Sequence, residues 1–299
     1  MYEKLLFVII TLSCAYVLKT VGVFRREHSE PLVSYVLYFS LPALVVQKIR
    51  EVELGPDSAA VVFIAWVSVG LSMLVSFFVG RFFGFRGRSL RALLLVSSFG
   101  NTAFLGYPFT YALFGDEGLS HAVLYDQLGS FLLVVSLGFF VATGRFSLRE
   151  IAFFPPFIAL VVGMFSRSVD IPSGVGVFLE VSGKSLIPVV LFAIGLRLSL
   201  SDTFGSLRGS SLALVVKMVL VPLVLAKTLD LLGLDSLPYR VALLETCMPP
   251  MVMAGVLAIR YGLDEKLALS SIVLGTVLSF VTVPIIMGLL TANQFSNNT

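Results

Sequence analysis

Charge is scarce in this 299-residue chain. Asp, Glu, Lys and Arg together make up 13% of it, about half the ~25% of a soluble domain. Cysteine is nearly missing: Cys14 and Cys247 both lie in apolar runs, a pattern that excludes a disulfide framework and a thiolate metal cluster. The two histidines, His28 and His121, are too few for a multi-histidine metal site. No polar stretch is long enough for a soluble domain. What fills the chain is apolar: 57% hydrophobic residues, 26 Phe and a mean hydropathy of +0.98. A water-soluble fold cannot hide that much apolar surface, so the chain reads as a polytopic membrane protein. Soluble enzyme, nucleic-acid binder and secreted scaffold are excluded. The net charge of +3 is the excess expected from cytoplasmic loops, and implies no nucleic-acid partner. The first apolar stretch has only Lys4 before it and no small-residue cleavage site, so it reads as a retained helix.

A spanning helix needs ~20 mostly apolar residues. Cutting at charged and Gly/Pro clusters leaves ten candidates: 4–24, 31–48, 58–83, 89–114, 118–143, 151–168, 174–197, 208–232, 238–260 and 264–290. With the N-terminus outside, the inner loops hold Arg25, Arg26, Arg81, Arg86, Arg88, Arg91, Arg145, Arg149, Arg197, Arg208, Arg260 and Lys266. The outer side holds Lys4, Lys48, Arg50, Arg167, Lys227 and Arg240, so the balance is twelve against six. Ten spans then place both termini outside a cytoplasmic (inner) membrane.

Weak repeats recur at a steady offset. Leu41-Pro42-Ala43 resembles Ile187-Pro188-Val189, Phe114-Gly115-Asp116-Glu117 resembles Tyr261-Gly262 with Asp264-Glu265, and Gly129-Ser130-Phe131 resembles Leu278-Ser279-Phe280. Five spans per half is an odd number, so the halves must be oppositely oriented, as in secondary transporters. The expected organisation is a first five-helix repeat over 1–143, a cytoplasmic linker over 144–150, an inverted second repeat over 151–290 and a polar tail over 291–299.

Span four contains Phe99-Gly100-Asn101-Thr102-Ala103-Phe104-Leu105-Gly106-Tyr107-Pro108, and span nine contains Glu245-Thr246-Cys247-Met248-Pro249-Pro250-Met251. Gly, Asn and Pro at mid-span weaken or break a helix. The two interruptions fall at equivalent places in the two halves, the strongest sequence pointer to a transporter's binding site. The half-helices that start there would present free N–H groups and partial positive charge to an anion. Two ordinary proline kinks are the plainer alternative.

The segment Asn101-Thr102-Ala103-Phe104-Leu105-Gly106-Tyr107-Pro108 resembles the Asn-Thr-Gly-Phe-Leu-Gly-x-Pro signature of the auxin efflux carrier family, with Ala103 in place of the usual Gly. Met248-Pro249-Pro250 and Leu41-Pro42-Ala43-Leu44 are similar to that family's ninth and second helices. The likeness runs over essentially the whole chain. It implies an all-α fold of ten transmembrane helices in two inverted five-helix repeats, with helices four and nine broken and crossed. It also implies a scaffold unit and a mobile unit that rock against each other, carboxylate substrates, and a homodimer. The long cytoplasmic loop of some plant members is missing.

Ionisable groups inside spans are costly and by default functional. Lys184, Lys217, Glu245 and the pair Asp126-Gln127 all fall near mid-span. Lys184 is expected to add positive charge to the anion site, and Glu245 and Asp126 are the candidates for a coupling ion, sodium or a proton. The alternative is structural pairing of the two lysines with the two acids. No nucleophile elbow or paired-histidine zinc motif is visible, so no enzyme, cofactor or bound metal is expected. The expectation is therefore a carrier of a small organic anion. Asn101, Thr102, Ala103, Gly106, Pro249, Pro250, Met251 and Lys184 would form its site, in contact with the lipid bilayer. A sodium-coupled symporter of a larger amphipathic anion, distantly similar to the bile-acid symporters, and a non-transporting membrane sensor stay open beside it.

Overall fold

The computed structural model describes residues 2–53, 55–145, 155–197 and 206–297. Within them the chain is helical, and its one β feature is an isolated antiparallel bridge between Gly100 and Pro250. The helices are α1 Tyr2–Thr20, α2 Arg26–Glu51, α3 Pro56–Phe82, α4 Gly87–Ser98, α5 Thr102–Thr143 and α6 Pro155–Phe165. They continue as α7 Ser173–Arg197, α8 Leu207–Leu231, α9 Leu237–Thr246, α10 Val252–Arg260 and α11 Glu265–Asn297. Six of the helical stretches are long and apolar enough to cross a membrane: α2, α3, α5, α7, α8 and the Glu265–Gly288 part of α11. The backbone of α11 stays helical to Asn297, well into the region expected as a polar tail. The linker expected over 144–150 lies outside the described residues from position 146 onward.

The α5 stretch is one helix only by length. Gly115 inside it has φ 71 and ψ −159, a left-handed setting that glycine reaches without a Cβ penalty. The chain therefore turns within Gly115-Asp116-Glu117-Gly118, where the sequence places the boundary between spans four and five. Wider, π-helical turns interrupt several helices: Val36–Ser40 in α2, Thr102–Gly106, Tyr125–Phe131 and Val134–Gly138 in α5, and Val215–Leu220 in α8.

The helices pack as two groups. In one, α1 lies on α7, and α2 lies on α6 and α7. In the other, α3 packs on α4, α5 and α9, while α4, α8 and α10 pack on α11. The groups meet chiefly where the first half of α5 touches α1 and α2. Within the first group the helices approach closely at glycines. A Cβ on Gly195 would stand 2.6 Å from the Leu12 carbonyl oxygen and 2.7 Å from the Ala15 Cβ, and one on Gly183 would stand 3.1 Å from the Leu44 Cα. Without a hydrophobic drive between helices in lipid, such close packing supplies the attraction. Gly195→Leu is expected to force α1 from α7 and to destabilise the protein by about 1–3 kcal/mol, the cost of overpacking. Thermal unfolding in detergent checks this, and an unchanged melting temperature would contradict the α1–α7 contact. Two arginines clasp the ends of α2 and α6: Arg50 donates to the Val169 carbonyl at 2.8 Å, and Arg167 donates to the Ile49 carbonyl.

Candidate functional site

The second group is built around two broken helices. The stretch expected as span four comprises α4 and the start of α5, interrupted after Ser98; the stretch expected as span nine comprises α9 and α10, interrupted after Thr246. Phe99 and Met251 have extended backbone, with φ −100, ψ 118 and φ −68, ψ 138. Pro249 and Pro250 carry no N–H, so the helix cannot continue through them. The two extended pieces satisfy each other instead. The Asn101 N–H donates to the Pro249 carbonyl at 2.7 Å, and the Met251 N–H donates to the Phe99 carbonyl at 2.8 Å. Unpaired backbone at membrane depth costs several kcal/mol per group, and this short antiparallel pairing removes it. Asn101, Thr102, Pro249, Pro250 and Met251 are thereby brought together, and all are buried; Ala103 is partly exposed.

Glycines make room for the pairing. A Cβ on Gly106 would overlap the Glu245 carboxylate, and one on Gly275 would stand 2.6 Å from Pro250 Cδ and 3.1 Å from Pro249 Cβ. The last glycine of the Asn-Thr-Ala-Phe-Leu-Gly segment is therefore the seat of the α9 acid, and α11 lies flush on the proline pair. Asn101 is the residue before α5, but its side chain makes no capping bond. Its main-chain carbonyl accepts from the Leu105 and Gly106 N–H groups at 3.1 Å each.

Two acids flank the pairing. Asp126 accepts from the Tyr107 hydroxyl at 2.9 Å, from the Gln127 amide at 2.7 Å and from the Thr102 hydroxyl. It reaches the break through the Thr102 side chain. Glu245 accepts from the Thr110 hydroxyl at 2.8 Å through Oε1, while its Oε2 has no partner among the described residues. Beside it, Thr246 donates its hydroxyl to the Ala242 carbonyl at 2.9 Å, so the 3.0 Å contact with Tyr125 is a bond donated by the tyrosine.

The lysines part company. Lys217 is buried, and its ammonium donates to the Thr246 carbonyl at 2.7 Å. Lys184 is not brought to the breaks: its side chain is 66% exposed and pairs with Glu180 one turn earlier at 2.5 Å. A helix that is apolar nearly all round gives no sequence cue to which face a lysine takes. Among the described residues no ion pair joins either acid to either lysine. Lys184 instead lines a cavity of about 460 Å³ at the seam of the two helix groups, with Phe7, Leu44, Lys48, Tyr111 and Asp116. Lys48 is buried there and bridges α2 to α5, at 2.8 Å from Glu51 and 3.4 Å from Asp116.

Tyr107, Thr110, Tyr125 and Gly275 belong to the site but were not singled out from the sequence. Hydroxyls in apolar helices read as packing residues. A signal existed for Thr110: it stands four residues after Gly106, on the same helix face, the face that meets the acid-bearing helix.

A family model described as membrane transport protein matches the chain twice, over residues 1–145 and 136–287. A relative named as an uncharacterized transporter, from Methanothermobacter thermautotrophicus, is 28% identical over 291 residues, covering 95% of this chain and 96% of the relative. A second relative named as an uncharacterized transporter, from Methanocaldococcus jannaschii, is 28% identical over 298 residues, covering 94% of this chain and 96% of its own. The chain belongs to this membrane transport protein family, the auxin efflux carrier family.

Proposed function

We propose that this member of the auxin efflux carrier family carries a small organic anion, a carboxylate, across the cell membrane by alternating access at the paired breaks. One observation carries the reading: the backbone pairing of Asn101 with Pro249 and of Met251 with Phe99. It sets the first turns of α5 and α10 side by side. Both are helix N-termini, with N–H groups and partial positive charge suited to a carboxylate. Asn101 supplies an amide donor, and Thr102, Ala103, Gly106, Pro249, Pro250 and Met251 shape the surface around it. Lys184 acts at the entrance, where it lines the seam cavity. Glu245, with one carboxylate oxygen unpartnered, is the better placed of the two coupling candidates, and the coupling ion in this reading is a proton.

The proposed architecture is ten crossings in two inverted repeats, 1–143 and 151–290, joined by 144–150, with both termini outside. Two features support it. The positive-φ glycines Gly115 (φ 71) and Gly262 (φ 60) fall at repeat-related places, and the family model matches the chain twice. The group of α1, α2, α6 and α7 would be the fixed unit, and the group holding the breaks would be the moving one, possessing the hinge along α5. A homodimer through the fixed units is part of the same reading.

A screen of carboxylates by thermal shift tests the site. Binding to the folded state raises the melting point by mass action, by about 2.7 kcal/mol of stabilisation at a hundredfold excess over Kd. Asn101→Ala should lose the shift while keeping the melting point of the unliganded protein. A full shift in that variant would move the anion elsewhere.

A further inference from the structure

We propose that the Lys217 ammonium is a fixed cation of the crossing: it holds the carbonyl that Pro250 leaves without a helical donor, in the place a monovalent metal ion would take. The carrier therefore has no use for sodium at this position. The last clause rests on the transport reading; the rest does not.

Thr246 is the last residue of α9. In an unbroken helix the N–H of residue 250 would donate to its carbonyl, and Pro250 has none. A helix C-terminus also carries partial negative charge. Unwound carbonyls and the C-terminal ends of half-helices are what bind sodium in broken-helix transporters. Here that oxygen accepts from the Lys217 ammonium at 2.7 Å. The same side chain reaches the other break: a Cβ on Gly100 would stand 3.1 Å from both Cε and Nζ of Lys217. One cation thus bonds to one interrupted helix and lies beside the other break, where the missing side chain of Gly100 leaves it room. The lysine comes from the π-helical turn Val215–Leu220 of α8. Such turns recur at functional sites because they redirect a side chain. A buried lysine is expensive to keep. A neutral donor could satisfy one carbonyl, so a full charge points to the role of an ion.

The test uses the purified full-length protein in detergent, with sodium, potassium, choline and methylammonium chloride at equal ionic strength, and reads thermal unfolding. The wild type should melt at the same temperature in all four. Lys217→Ala should melt at least about 5 °C lower in choline, with part of the loss restored by sodium or methylammonium, which fit the space left by the side chain. Lys217→Gln, which can still donate but carries no charge, should also melt below the wild type. Cation-specific rescue distinguishes a fixed ion from a mere strut. The proposal is overturned if sodium stabilises the wild type over choline, if Lys217→Ala responds alike to all four salts, or if Lys217→Gln keeps wild-type stability. Should Lys217→Ala not yield folded protein, the wild-type salt series and Lys217→Gln still decide. No substrate enters the assay, so its failure leaves the transport reading standing, and a failure of uptake leaves this result standing.

Discussion

Gly106→Val is expected to abolish anion uptake and to lower the stability of the protein by several kcal/mol. A Cβ at this position would overlap the Glu245 carboxylate, which is buried and held by Thr110. The acid cannot swing into solvent from there. Either the start of α5 moves away from α9, or Glu245 leaves Thr110 and loses a hydrogen bond worth about 0.5–1.5 kcal/mol. Overpacking adds about 1–3 kcal/mol. Both routes disturb Asn101, because the Gly106 N–H is bonded to the Asn101 carbonyl. Gly70→Ala is the control: a Cβ there meets nothing within 4 Å, so stability and uptake should hold. Thermal unfolding and uptake measured on both variants check the pair. A stable, active Gly106→Val protein would contradict the seating of Glu245 against α5.

The second large effect is expected at Asp126. Its carboxylate is the common acceptor for Thr102, Tyr107 and Gln127, and so ties the first turns of α5 to the middle of the same stretch. Asp126→Ala leaves three buried donors without an acceptor. Stranding buried polar groups costs about 1–3 kcal/mol each where nothing replaces the bond. The loss should reach at least about 3 kcal/mol and take uptake with it. Asp126→Asn keeps the shape and one acceptor oxygen, so it should melt between the wild type and the alanine variant. Equal melting of all three, by circular dichroism, would mean that Asp126 holds nothing together.

Six helices of membrane-crossing length were legible because lipid demands long apolar runs, and several of their boundaries because charge, Gly and Pro interrupt them. Gly115 shows the gain: the turn there breaks a helical stretch that by length alone reads as one. The breaks were legible for the same reason, since Gly100 and Pro249-Pro250 cannot sit quietly in a helix. What the sequence did not carry was facing. Lys184 and Lys217 look alike in their spans, yet one is exposed on a cavity and the other is buried against the Thr246 carbonyl. Helical periodicity assigns a face only when one side is polar, and these helices are apolar nearly all round. The π-helical turns at Tyr125–Phe131 and Val215–Leu220 then rotate Asp126 and Lys217 relative to an ideal helix. No residue pattern announces such turns. The bonds of Tyr107, Tyr125 and Thr246 escaped for a related reason: a hydroxyl's partner is set by the helix it faces.

The central claim is that an organic anion crosses the membrane by way of the paired breaks. Uptake of radiolabelled short-chain mono- and dicarboxylates into proteoliposomes, with the wild type and Asn101→Ala reconstituted at equal density, tests it most directly. The account predicts saturable uptake of at least one carboxylate by the wild type, reduced to the level of empty liposomes in Asn101→Ala. Uptake that is the same in both proteins, or no carboxylate uptake by the wild type above empty liposomes, would contradict it.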